Sequence, residues 1–226
     1  MKIESKYEKE INEYKNNNNR ILWKNQAKQT SDILQLLVEA ITKANDFSMK
    51  NFHALIYITA HKSSISATTK IDKIRQLKIN KDYSEKILNL IHDDIGCWAL
   101  PRKNYEEYIH DRISEVWDLI KAIYEKDEEI TLVTEIDDFA QRRISNLQSG
   151  LLSPIFYCLK PTMFPIINGK SIKIIKGILG TNISNKILDY NFERKKFLEF
   201  REAYDFSKDF RDLDGFVLWC EKKKLF

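Results

Sequence analysis

Apolar residues recur three and four positions apart through almost the whole chain. The residues that interrupt such a rhythm are scarce, with six glycines and four prolines in 226 residues. Spacings of three and four put side chains on one face of a helix with 3.6 residues per turn. A β-sandwich or barrel needs a turn every eight to twelve residues, and with it far more Gly and Pro. There is no persistent alternating pattern and no internal repeat. The expected fold is therefore all-α, a compact multi-helix domain of about nine to eleven helices, either one core or two closely packed lobes. A hydrophobic fraction of 43% is enough to fill that core.

Read in order, residues 3–27 suggest a charged helix, a break at the Asn16–Asn19 run, and a short segment anchored by Trp23. Ser31-Asp32 reads as the start of the next helix, which is apolar nearly all round and so central. Residues 1–28 are thus expected to form an N-terminal helical extension and 29–226 a single helical domain, with a lobe boundary allowed near 125–138. Phe52 to Ile58, 83–92 and 104–125 each read as one helix. After Gly180, Ile183, Ile187 and Leu188 suggest a further helix, with Phe192, Phe197, Leu198 and Phe200 continuing the apolar packing. A last helix starts near Leu213 and turns Phe216, Val217, Trp219 and Cys220 inward.

Charge is segregated along this chain. Residues 139–188 hold no Asp and no Glu, although acids are 33 of the 226 residues; at that density about seven are expected. The stretch carries Arg142, Arg143, Lys160, Lys170, Lys173, Lys176 and Lys186, while the remaining residues hold 30 bases against 33 acids. One 50-residue segment thus supplies more than the whole net charge of +4. Its shape is also legible. A helix running through Leu151, Leu152, Ile155, Phe156 and Leu159 stops at Pro161. Phe164-Pro165-Ile166-Ile167 is extended, because a residue before proline is pushed out of the helical region. Asn168 or Ser171 can cap a new helix that ends at Gly180, with Asn168 expected to cap it or else to read a base edge. On that helix Ile172, Ile174, Ile175, Ile178 and Leu179 fill one side and Lys170, Lys173 and Lys176 the other. Phe164 and Ile166 are expected to be buried. A helix N-terminus with free N–H groups beside a lysine stripe can seat a phosphate, and the same lysines can equally be a solvated face over an isoleucine core.

The run Leu-Ser-Pro-Ile-Phe-Tyr-Cys-Leu-Lys-Pro-Thr-Met-Phe-Pro-Ile-Ile-Asn-Gly-Lys, within residues 147–180, resembles a segment of the N-terminal helical regions of methylcytosine-dependent restriction GTPases. It is also similar to a segment of helical proteins related to helix-hairpin-helix DNA glycosylases. The chain has no G-x-x-x-x-G-K-[ST] and no glycine-rich hairpin followed by an aspartate, so neither catalytic module carries over. What the resemblance implies is a helical DNA-associated module in a restriction or phage-defence setting.

Other candidates are weighed on their residues. Trp98 followed by Arg102 and Lys103 can stack on a base and hold its phosphate, or be core. Residues 47–71 are also free of acids, and with Lys50, Lys62 and Lys70 they read as a second wall of the basic surface. His53 and His61, eight apart, lack a partner at ligand spacing. His92-Asp93-Asp94 reads as a helix end and turn, and the acids of 125–138 as a solvated linker or helix face. Cys97, Cys158 and Cys220 show neither a disulfide framework nor metal spacing. No G-x-S-x-G, H-E-x-x-H or C-x-x-C is present, and no cofactor is implied. With no signal peptide or spanning segment, the expected setting is a reducing cytoplasm and no membrane partner. The expected function is nucleic-acid binding, DNA favoured, through Arg142, Arg143, Lys160, Asn168, Lys170, Lys173, Lys176, Trp98, Arg102 and Lys103. An interaction protein binding an acidic protein partner or a nucleotide signal is the alternative. A glycosylase-like base-processing enzyme, with Asp137, Asp138 or Asp93 as its carboxylate, is the third.

Overall fold

The computed structural model describes residues 5–98, 105–142 and 147–225. Among them the chain is all-α, with twelve α-helices and no strand. These are α1 (Ser5–Lys15), α2 (Asn19–Ala44), α3 (Met49–Thr59), α4 (Ala67–Arg75), α5 (Lys81–Leu90), α6 (Tyr105–Ile109), α7 (Ile113–Glu125), α8 (Glu129–Gln141), α9 (Ser149–Leu159), α10 (Gly169–Leu179), α11 (Tyr190–Ala203) and α12 (Arg211–Lys222). Short 3-10 turns at His110–Arg112 and Ile187–Asp189 precede α7 and α11. Twelve helices exceed the nine to eleven expected because 104–125 is divided: α6 gives way to the turn before α7 begins. At that new start Arg112 forks onto Glu115, an acid in the first turn of α7, where the helix dipole favours negative charge.

The helix α2 is the axis of the molecule. It packs against α9, α12, α3, α5 and α7, as an all-round apolar helix must. Ser31 does not open a helix but lies in the middle of one; Thr30 and Ser31 donate back to the carbonyls of Gln26 and Ala27 at 2.9 and 3.1 Å. These bonds within the helix remove the competition that makes serine a capping residue. Residue 28 therefore falls inside α2, and α1 is tied to the body by Ile11 and Tyr14, both buried against the core. Leu188 and Phe192 are exposed, 45% and 65%, rather than packed; the Lys196 ammonium lies 4.6 Å from the Phe192 ring.

The connection between α9 and α10 is held carbonyl by carbonyl. An extended segment cannot satisfy its own polar groups, so each needs a partner elsewhere. The carbonyls of Pro161, Thr162, Met163 and Pro165 accept from Phe210 N–H, Arg201, Arg194 and the Tyr190 hydroxyl at 2.7, 3.0, 3.0 and 2.9 Å. The Ile167 carbonyl accepts from Ser149 Oγ at 3.0 Å, and its N–H donates to Ser153 Oγ at 3.0 Å. Phe164 and Ile166 are buried as expected, and the Phe164 ring meets Phe156 and Tyr190. The start of α10 is thereby fixed in direction by α9, α11 and the segment leading into α12.

Candidate functional site

The start of α10 faces a cleft. Trp23, Gln26 and Ala27 of α2 form one wall, and the 96–98 turn with His61 forms a second. Asn168 and Lys170 stand at its edge, and Asp214, Gly215, Val217, Leu218 and Glu221 of α12 complete it. Its volume is about 80 Å³, room for roughly two to three waters at about 30 Å³ each.

The turn wall is pinned locally. Gly96 has φ +111°, and a Cβ there would lie 2.1 Å from the Ala60 carbonyl oxygen, so only glycine fits. Gly96 N–H donates to Thr30 Oγ1 at 2.8 Å, Cys97 N–H to the Thr59 carbonyl at 2.8 Å, and His61 N–H to the Trp98 carbonyl at 2.6 Å. Behind the wall, the fully buried Lys70 ammonium donates to the carbonyls of Ala60 and Ile95 at 2.6 and 2.9 Å. Burial pulls its pKa down to about 8, partly offset by Cys97 and Asp93. Lys70 is therefore an internal staple and not part of a basic surface.

The floor is polar. Asp214 is half-buried and opens to the cleft, and among the described residues its carboxyl has no hydrogen-bond partner. Burial pushes its pKa up to about 7, opposed only by Lys170. The buried Tyr157 hydroxyl also lacks a partner; burial and then the Asp214 carboxyl push its pKa up. Cys97 Sγ lies 3.9 Å from Cys158 Sγ.

The mouth is cationic. Burial lowers the His61 pKa, and so do Lys62, Lys70, Lys170 and Lys222, four lysines from four separate segments. Ser63 N–H reaches His61 Nδ1 at 3.3 Å. A backbone N–H only donates, so the neutral ring carries its proton on Nε2. Lys170 pairs with Glu221 at 2.6 Å and Lys62 with Asp94 at 2.6 Å. Lys222 sits 4.9 Å from the Trp23 ring.

The residues singled out in the sequence are scattered. Asn168 caps α10: its Oδ1 accepts from the N–H groups of Lys170 and Ser171 at 2.9 and 3.1 Å, and Ser171 Oγ accepts from Asn168 N–H at 2.9 Å. These amides are therefore not free for a phosphate, and what the side chain has left for the cleft is its Nδ2. Lys170, Lys173 and Lys176 are exposed over the buried Ile174, Ile175 and Ile178, the stripe that the spacing predicts. Lys160 pairs with Asp127 at 2.5 Å and Arg142 with Glu115 at 3.3 Å. Trp98 is 6% exposed and its indole N–H donates to Thr59 Oγ1 at 2.9 Å, so it is a wall of the cleft and not an open plate. Arg143, Arg102 and Lys103 lie outside the described residues. His61 lies beyond the end of α3 and shares no helix face with His53. Asp93, Asp137 and Asp138 are exposed, away from the cleft.

Asp214 was missed as a site residue. Its signal was an acid in line with Val217, Leu218 and Glu221, at i, i+3, i+4 and i+7 on one face of α12. No protein-family model, no curated protein and no solved structure matches this chain.

Proposed function

We propose that the protein binds nucleic acid, with DNA favoured, and that the edge of one unstacked base meets the mouth of the cleft while its phosphates stay with the lysines of the rim. The observation that carries this reading is the placement of Lys62, Lys170 and Lys222, from three separate segments, around His61 at the mouth of the cleft. The ion pairs of Lys170 and Lys62 do not oppose it. Exposed pairs are worth about 0–1 kcal/mol, so a phosphate can replace Glu221 or Asp94 at little cost. The floor suits a neutral, hydrogen-bonding ring better than an anion. Asp214 with a pKa of about 7 can be an O–H donor near neutral pH, and the Asn168 amide adds a second donor. Unstacking a base costs a few kcal/mol, least where the strand is already single. The resemblance of residues 147–180 to DNA-associated helical modules leans the same way.

The test is anisotropy of labelled single-stranded and duplex oligonucleotides across a salt series. A Lys62→Ala/Lys170→Ala/Lys222→Ala variant is expected to bind more weakly and to lose up to about three units of the slope of log K against log salt. An unchanged slope in the folded variant overturns the reading. The Lys173→Ala/Lys176→Ala variant separates the rim from the outer face of α10, and is expected to change the slope less.

A second reading, base-processing chemistry, rests on Asp214 itself. A half-buried carboxyl titrating near neutrality is suited to general acid or base work. Release of a base from oligonucleotides carrying modified or mismatched bases, lost in Asp214→Asn, is its signature. Binding without turnover over a broad substrate panel leaves the binding function alone.

A further inference from the structure

We infer that Cys97 and Cys158 are a dithiol pair that closes to a disulfide, with its oxidant arriving through the cleft. The two thiols are 61 residues apart in sequence and 3.9 Å apart in space. A disulfide needs about 2 Å between sulfurs, so the approach required is about 2 Å, on the scale of a side-chain rotation with a small backbone adjustment. The sulfurs differ in access. Cys97 is half-buried in the cleft wall, whereas Cys158 is fully buried on α9. The third thiol, Cys220, is buried on α12.

This asymmetry sets the order of events. With a peroxide as oxidant, the Cys97 sulfur attacks one peroxide oxygen, the O–O bond breaks, and a sulfenic acid forms with release of water. Cys158 then attacks the Cys97 sulfur, the S–O bond breaks, and a second water leaves. Two thiols and one peroxide give one disulfide and two waters; each sulfur loses one electron and the peroxide takes both. A small-molecule disulfide does the same by exchange, with two thiols of the reagent as products. Burial and the neighbouring Cys158 thiol hold Cys97 protonated, so the closure is slow compared with that of an exposed, low-pKa thiol. Because Cys97 belongs to the turn pinned by Gly96, closure draws the cleft wall towards α9. The inference is independent of what the cleft binds.

The experiment uses the wild-type chain, since replacing the fully buried Cys158 can itself disturb the fold. Native protein is incubated with hydrogen peroxide, and separately with oxidised glutathione, then unfolded and alkylated. The expected result is one alkylatable cysteine in place of three, a Cys97–Cys158 linked peptide in a non-reducing digest, and recovery of all three thiols with dithiothreitol. Cys220→Ser should form the same link, and Cys97→Ser should leave Cys158 unlinked. The chain oxidised in urea, where three pairings are open, should give a mixture. Three free thiols after native oxidation, a link involving Cys220, or a stable glutathione adduct or sulfinic acid on Cys97 with Cys158 still free would each overturn the inference.

Discussion

Two carboxylates two residues apart on α12 lie in opposite settings. Asp212, on the packed side, is fully buried and saturated. It accepts from Arg20 at 2.7 and 2.5 Å, from the Tyr14 hydroxyl at 3.0 Å and from Ser207 N–H at 3.1 Å. Burial pushes its pKa up, but the Arg20 guanidinium and these hydrogen bonds outweigh burial and hold it below the usual carboxylate range. Asp214, on the cleft side, has burial without such partners and titrates near 7. The same residue type on the same helix is a lock in one place and an unmet demand in the other. Asp214 keeps part of its surface open to the cleft, so its carboxyl is left to water or a ligand where Asp212 is met by protein groups.

The contrast can be broken at either end. The largest effect is expected on the packed side. Arg20→Ala leaves Asp212 buried without its counter-charge and should cost about 3–5 kcal/mol in urea unfolding at pH 7. That cost should shrink below about pH 4, where a carboxylate held low in the folded chain gives up its stabilisation. A loss under about 1 kcal/mol would mean that the network is ornamental. Phe164→Ala, in the connection that aims α10, should cost a similar 3–5 kcal/mol.

Asp214→Asn should move stability the other way. Its carboxyl takes up a proton more readily folded than unfolded, so the native state binds more protons between about pH 4 and 7 and stability falls as pH rises through that window. Removing the charge should therefore stabilise the protein by about 2–4 kcal/mol at pH 8, with the gain fading towards pH 4. A destabilised or pH-independent Asp214→Asn variant would show that the carboxyl has found a partner and that the contrast with Asp212 is false. Activity or ligand binding lost in this more stable variant would sharpen it.

Two smaller effects probe the cleft edge. Asn168→Ala should cost about 1 kcal/mol, the usual price of an N-cap; no change in melting would detach Asn168 from the cap and give it to the cleft alone. Lys170→Ala should change stability by less than about 1 kcal/mol, since its pair with Glu221 is exposed, 48% and 40% for the two side chains. A larger loss would make Lys170 part of the frame.

The sequence by itself determined the helical class and several of the helix ends. The all-α class, the stop before Pro161, the Asn168 cap and the Gly180 terminus in the left-handed region at φ 65° follow from interactions within a few residues of each position. Even Ser31 was misread only because its hydroxyl chose the carbonyl behind it. Tertiary structure alone decided the charges and the cleft. A stretch without acids in sequence is not without them in space: Glu221 and Glu115 arrive from other helices, and Asp127 from the connection between α7 and α8, to meet Lys170, Arg142 and Lys160. Asp212 and Asp214 look alike as letters, and they part only when the fold brings hydrogen bonds from Arg20 and Tyr14 to one and only the more distant charge of Lys170 to the other. Helical periodicity and capping are local, so the chain carries them openly. Desolvation and charge pairing depend on neighbours tens to hundreds of residues away, and those neighbours exist only once the helices have packed.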